Sequence, residues 1–250
     1  MGYDIKVENA NFSQNTITFH FIVADVSGSM QGEKEKSVRK GFKLIQDELI
    51  KLEDTSSTRV SVIKFGSNIY PDDLKCVESF DVNYRATGEG TALYAAICYV
   101  KEQIQRLYSI YRDKYRLNLN VIFLSDGENW SQRSSESAAK NAVAQLKTLY
   151  KASTIFYAIE EKYKVEHVTK IARELGFDVK RVDGDQKSIE NMSRQLSTML
   201  VSSSRSGIPA ELNGLSATLS STVSRVAAEK FEADMAGLEE VILDPFEDLM

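Results

Sequence analysis

The chain has 250 residues, of which 42% are hydrophobic and 27% charged, as in a globular protein of one domain with an appendage. No apolar run is long enough to cross a membrane and the N-terminus lacks a secretory-signal pattern, so we expect a cytoplasmic protein without membrane contact. Its formal charge of −5 is concentrated in residues 201–250, which hold nine acidic and three basic residues. The absence of a basic stripe argues against nucleic acid as a partner.

Short β-rich apolar runs alternate with longer stretches of helical periodicity between residue 17 and about residue 200. Runs such as VIFL and IFYAI are almost continuously apolar, which is typical of strands that are buried on both faces of a parallel sheet. The predicted strands are Ile17–Ala24, Arg59–Phe65, Leu119–Leu124, Thr154–Ile159 and Asp178–Val182, with a weaker one near Leu74–Phe80.

Between these runs, apolar residues recur at steps of three and four. The clearest stripe extends from Leu93 to Tyr111, and others extend from Val38 to Leu52 and from Val165 to Leu175. Strands that alternate with helices predict an α/β domain with a doubly wound, mostly parallel central sheet that is flanked by helices.

The composition changes near residue 201. We predict a domain over residues 1–201, a Ser-rich linker over residues 202–208, and an acidic amphipathic helix and tail over residues 209–250. The helix either packs back on the domain, which is the favoured interpretation, or binds a partner.

Oxygen-bearing side chains follow two predicted strands and precede one predicted helix. The first strand ends in ADVSGSM, which places Asp25, Ser27 and Ser29 at alternate positions. Asp126 follows a later strand in LSDGEN, and Thr91 precedes a helix in GEGTAL. Ligands of open α/β sheets bind outside the carboxyl ends of the strands, so we expect these five side chains to form one site.

The five side chains offer hydroxyls and carboxylates but neither a thiol nor an imidazole. Such donors suit a hard divalent cation, so Mg²⁺ is the expected cofactor, with Mn²⁺ next and Ca²⁺ compatible. Two carboxylates only balance the charge of a divalent ion, which therefore retains affinity for an anionic ligand from outside.

Together, DVSGS, TAL and SDGEN resemble the metal-ion-dependent adhesion site (MIDAS) of the von Willebrand factor A (VWA) family. The resemblance covers roughly residues 15–200. It implies that Ser27, Ser29 and Thr91 contact the metal directly, that Asp25 and Asp126 do so directly or through water, and that a partner's Glu or Asp completes the coordination. Similar family members include stand-alone cytosolic bacterial proteins that act beside kinases, phosphatases or AAA+ ATPases, some of them in stress or tellurite-resistance gene clusters.

One position departs from the family pattern, because Glu89 stands where the loop commonly has a second glycine. Glu89 either caps the metal itself or points to solvent and tunes the choice of partner, and the solvent alternative is favoured. Asn129 and Trp130 follow the Asp126 loop. Asn129 is expected to form loop hydrogen bonds, and Trp130 either rims the partner-binding face or packs against the next helix.

The expected function is that of a non-enzymatic adaptor or scaffold in a cytosolic bacterial complex. The sequence has no nucleophile elbow, no P-loop and no dinucleotide-binding motif. The alternative is a metal-assisted phosphoesterase that uses the same carboxylates. The sequence places no His or Lys as a general acid, which argues against this alternative. The acidic tail also predicts self-association, if the tail of one copy enters the site of another.

Overall fold

The computed structural model describes residues 3–10, 12, 14–127, 134–160 and 167–207. Predictions for residues 209–250 lie outside the described residues.

One sheet forms the centre of the domain. Within the described residues its strands are β1 (Thr16–Asp25), β2 (Thr58–Phe65), β3 (Ile69–Tyr70), β4 (Lys75–Cys76), β5 (Arg116–Ser125), β6 (Ser153–Glu160) and β7 (Asp178–Asp183). Their order is β3-β2-β1-β5-β6-β7, with β4 paired to β2, and the five long strands are parallel while β3 and β4 run antiparallel to β2.

Helices cover both faces of the sheet. In the described part of the chain they are α1 (Glu33–Ile50), α2 (Leu93–Tyr111), α3 (Glu136–Thr148), α4 (His167–Glu174) and α5 (Gln186–Ser206). Helices α1 and α5 share one apolar core with the sheet, and α2, α3 and α4 share the other. Every residue of β1 after Thr16 is buried, because helices lie on both sides of the strand. The predicted doubly wound α/β fold is confirmed.

The order of the strands sets the position of the site. The chain passes from β1 to β2 on one side and then returns to place β5 on the other side of β1. The strand order therefore reverses between β1 and β5, and the crevice outside the carboxyl ends of these two strands is where open α/β sheets bind ligands. Asp25 ends β1 and Asp126 follows β5 directly.

The predicted strand near Leu74–Phe80 is mostly wrong, because only Lys75–Cys76 pairs with β2. Val77 and Phe80 are buried, so their apolar character reflects packing of a loop against the core. Gln46 of α1 donates to the carbonyl oxygens of Val77 and Phe80, at 3.4 and 3.3 Å. The side chain of Gln46 thus serves backbone groups that a strand partner would otherwise serve.

The predicted start of the linker at residue 202 is also wrong, since α5 continues to Ser206 and ends at Gly207. The polar sequence is explained by a polar patch in the core. Ser203 is fully buried, and its Oγ accepts hydrogen bonds of 2.9 Å from the Nδ2 atoms of Asn118 and Asn120 in β5. Ser203, which suggests an exposed linker in the sequence, instead satisfies two buried amides.

Among the described residues, no helix has both the length and the apolar character needed to span a membrane.

Candidate metal-binding site

The end of β1 supplies the first group of oxygen atoms. Asp25 is fully buried and Ser27 is 2% exposed, while Ser29 lies in an exposed 3₁₀ turn, Gly28–Met30. The backbone N–H of Ser27 donates to Asp25 Oδ1 at 2.8 Å, and the Oγ atoms of Ser27 and Ser29 are 3.1 Å apart. The alternate spacing of these three residues therefore places their side chains together, as predicted.

The loop after β5 supplies the second group. Ser29 Oγ donates to Asp126 Oδ1 at 2.6 Å, which joins two loops that are 97 residues apart. Ser125 Oγ donates to Asp25 Oδ2 at 2.6 Å and accepts from the N–H of Gly127 at 3.2 Å. Both carboxylates are thus held by hydrogen bonds that cross the topological switch point.

Thr91 supplies the third group from the loop before α2, and it is 3% exposed. A Cβ atom built on Gly127 would lie 3.0 Å from Thr91 Oγ1 and 3.5 Å from Asp25 Oδ2. The Thr91 hydroxyl and the Asp25 carboxylate therefore converge beside Gly127, where glycine leaves space that any side chain would fill. Ala92, not Thr91, is the N-cap residue of α2, so the hydroxyl does not cap this helix.

We call Asp25, Ser27, Ser29, Thr91 and Asp126 the donor cluster. Burial raises the pKa of Asp25 to about 6, although hydrogen bonds from Ser125 and Ser27 act in the opposite direction. An ionised carboxylate that is desolvated in this way is stabilised by a nearby cation.

The donors of the cluster fit a hard divalent cation such as Mg²⁺ or Mn²⁺, because all of them are oxygen atoms and two are carboxylates. In the described part of the chain, no three His, Cys, Asp or Glu side chains group together. Three hydroxyls would therefore have to complete the protein's share of the coordination, and each hydroxyl oxygen keeps lone pairs for this purpose.

Two residues of the site were not predicted from the sequence. Tyr84 is 1% exposed, and its hydroxyl donates to the carbonyl oxygen of Asp25, which fixes the end of β1. Lys34, in the first turn of α1, forms an ion pair with Asp126 Oδ2. The helix dipole disfavours a cation in the first turn of a helix, so a lysine at this position was a sequence signal that its charge has a partner nearby. The sequence did not place a lysine at the site, and the structure brings Lys34 beside Asp126.

The carboxylate of Glu89 has hydrogen-bond partners outside the donor cluster. Its backbone pairs with Ser27, but its carboxylate accepts hydrogen bonds from the N–H of Ser67 at 3.1 Å and from the hydroxyl of Tyr70. The Tyr70 hydroxyl is the main reason that the pKa of Glu89 lies below its ordinary value. Glu89 is half-buried against the loop between β2 and β3, and its hydrogen bonds to Ser67 and Tyr70 lie at the surface, so its role in the choice of partner stays a prediction.

Asn129 and Trp130 lie outside the described residues, and their place at the partner-binding face stays a prediction.

No protein-family model matches the sequence, and no curated protein matches it. Solved structures do match. A von Willebrand factor type A protein from Catenulispora acidiphila has a TM-score of 0.51 at 17% identity, over 74% of this chain and 43% of that one. This chain has a VWA fold.

Two further VWA-fold matches are proteins of bacterial pili by name. The pilus adhesin SpaC from Lactobacillus rhamnosus GG has a TM-score of 0.58 at 12% identity, over 79% of this chain and 31% of SpaC. The PilB minor pilin from Streptococcus sanguinis has a TM-score of 0.50 at 11% identity, over 78% of this chain and 63% of PilB. This chain thus spans less than two thirds of each of these three proteins. At these identities the likeness establishes the fold alone.

Proposed function

We propose that this protein is a metal-dependent interaction module, which binds a carboxylate of a partner protein through a Mg²⁺ or Mn²⁺ ion held by the donor cluster. The observation that carries the proposal is the convergence of two carboxylates and three hydroxyls from three separate loops at the topological switch point of a VWA fold. The arrangement agrees with the MIDAS pattern that the sequence resembles.

The residues of the site have distinct roles in this proposal. Asp25 provides a buried negative charge, and Ser27 and Ser125 fix its two oxygens by hydrogen bonds. Ser27, Ser29 and Thr91 provide neutral oxygens, so the protein's donors do not exceed the charge of a divalent ion. When bound, such an ion supplies an electrophilic position for an anionic oxygen from the partner.

We propose a cytosolic bacterial adaptor or scaffold without enzymatic activity, whose partner is a kinase, a phosphatase or an AAA+ ATPase. The named function of SpaC, adhesion, is also a binding function, which is compatible with this class of activity on the same fold.

A carboxylate probe tests the proposal without knowledge of the partner. Water-proton relaxation reports how many waters remain on protein-bound Mn²⁺, and acetate mimics the side chain of a partner's Glu or Asp. We expect the wild type to bind Mn²⁺ and to lose relaxation enhancement when acetate replaces chloride. Unchanged enhancement up to molar acetate would show that bound Mn²⁺ does not accept a carboxylate, and the adhesion mechanism would be abandoned.

The phosphoesterase alternative gains one argument from the structure, which is the presence of Lys34 beside Asp126. An ammonium group next to a metal-bound phosphate can stabilise the charge of a leaving group. Screening phosphomonoesters and nucleotides with Mn²⁺ tests this alternative. Metal-dependent turnover that disappears in Asp126→Ala, but not in a variant of an exposed aspartate such as Asp113→Ala, would favour it over the adaptor.

A further inference from the structure

Lys34 lies in the first turn of α1, and the position of its side chain is fixed from several sides. Gly32 has a φ of +80°, in the left-handed region that favours glycine, and it turns the chain between the 3₁₀ turn and α1. The ammonium group contacts Asp126 Oδ2 and lies 3.3 Å from the carbonyl oxygen of Ser29. It therefore points into the donor cluster.

The loop between β7 and α5 holds the aliphatic part of the same side chain. A Cβ atom built on Gly184 would lie 3.1 Å from Lys34 Cε, so the lysine passes closely over this glycine. The side chain of Lys34 is 17% exposed and that of Asp126 is 3% exposed. An ion pair that is shielded to this degree is screened less by solvent and salt than a surface pair.

The ammonium group also changes the balance of charge in the cluster. Asp25 and Asp126 carry two formal negative charges, and Lys34 reduces the total to −1. Both carboxylate oxygens of Asp126 already accept a hydrogen bond, one from Ser29 and the other from Lys34. A divalent cation must share Asp126 with a fixed positive charge, and like charges within a few ångströms repel strongly in a shielded site.

We propose that Lys34 is a specificity-determining residue, which competes with divalent cations for Asp126 and thereby makes cation binding depend on an acidic ligand. This inference rests on the proposed function of the donor cluster. With Lys34 present, a divalent ion brings the formal charge of the site to +1, which favours an anionic oxygen. An anion therefore binds the loaded site more tightly than the empty site. By thermodynamic linkage, the same anion increases the affinity of the site for the cation by the same ratio.

The direct test measures Mn²⁺ affinity by electron paramagnetic resonance in chloride buffer. Lys34→Met removes the charge and keeps the length of the side chain, and we expect Mn²⁺ to bind about tenfold more tightly or better. Lys36→Met is the matched control, because Lys36 is exposed on the same helix and pairs with Glu33. Lys34→Arg retains a cation, and we expect its affinity to stay within about threefold of wild type.

A second arm tests the dependence on an acidic ligand. At constant ionic strength, replacing chloride by acetate should lower the Kd for Mn²⁺ in wild type by a larger factor than in Lys34→Met. If Lys34→Met is too unstable in chelator to be handled, Lys34→Gln takes its place, since its amide can still donate to Asp126.

The outcomes separate this inference from the proposed function. If wild type binds Mn²⁺ and Lys34→Met binds it no more tightly than Lys36→Met, Lys34 does not compete for Asp126 and the inference is wrong. Equal acetate effects in wild type and Lys34→Met would refute the coupling to an acidic ligand. If wild type binds no Mn²⁺ in either chloride or acetate while the fold is intact, the proposed function fails as well.

Discussion

Replacing Asp25 by asparagine removes a buried charge and keeps the shape of the side chain. In Asp25→Asn the amide oxygen can still accept from the N–H of Ser27, and the amide nitrogen can donate to Ser125 Oγ, so both hydrogen bonds of the carboxylate have a counterpart. The variant therefore tests one property of the site, which is the negative charge that a metal ion requires.

The size of the effect follows from the raised pKa of Asp25. The folded protein has a pKa of about 6 at this carboxyl, against an ordinary value of 3.8, mainly because of burial. Each pKa unit corresponds to about 1.4 kcal/mol, so the ionised carboxylate destabilises the metal-free fold by up to ~3 kcal/mol at neutral pH. We expect Asp25→Asn to raise the free energy of unfolding in chelator by ~1–3 kcal/mol.

The assay is urea unfolding at pH 7.5, in EDTA and in excess Mg²⁺. Mg²⁺ at ten times its Kd should stabilise the wild type by ~1.4 kcal/mol and should not stabilise Asp25→Asn. The control is Asp113→Asn, because the Asp113 side chain is 82% exposed and its loss should change stability by less than ~0.5 kcal/mol. An Asp25→Asn protein that is less stable in EDTA, or that keeps the wild-type response to Mg²⁺, would refute the assignment of Asp25 as a buried metal donor.

Two further predictions concern Gly127 and His20. Gly127→Ala should weaken Mn²⁺ binding by about tenfold or more, because the new methyl group would lie 3.0 Å from Thr91 Oγ1, and an unchanged Kd would contradict the convergence at Gly127. His20 is fully buried, which lowers its pKa to about 3 from the ordinary 6.5. The unfolded state therefore binds the proton more readily than the folded state, and the free energy of unfolding decreases as the pH falls from 6.5 towards 3. In urea unfolding, the decrease in the free energy of unfolding from pH 7 to pH 5 should be ~2 kcal/mol smaller in His20→Gln than in wild type. Equal decreases in the two proteins would show that His20 is protonated in the folded state without a free-energy cost.

The long parallel strands could be predicted because burial on both faces leaves a nearly continuous apolar run. The predicted strand Ile17–Ala24 lies within the observed Thr16–Asp25. The two-residue strand β3 had no such signal, since it exists only through its pairing with β2. Ser203 of α5 was misread for the opposite reason, because its polar partners Asn118 and Asn120 lie in β5, more than 80 residues away in the sequence.

The donor cluster could be predicted because its members lie in three recognisable motifs, two after strand ends and one before α2, and the parallel sheet brings these segments to one edge. Lys34 and Tyr84 belong to no motif. Their partners Asp126 and Asp25 lie 92 and 59 residues away along the chain, and only the folding of α1 and of the loop before Thr91 brings them close. The position of Glu89 likewise depends on Tyr70, whose location on β3 the sequence did not reveal.

The measurement that tests the central claim most directly is the anomalous scattering of Mn²⁺ in crystals of the wild-type protein and of Thr91→Ala. Thr198→Ala, which removes an exposed threonine of α5, is the control. We predict one strong anomalous peak among Asp25, Ser27, Ser29, Thr91 and Asp126 in wild type and in Thr198→Ala, and its loss or marked weakening in Thr91→Ala. A peak at another place, or no peak at this cluster at saturating Mn²⁺, would contradict the account.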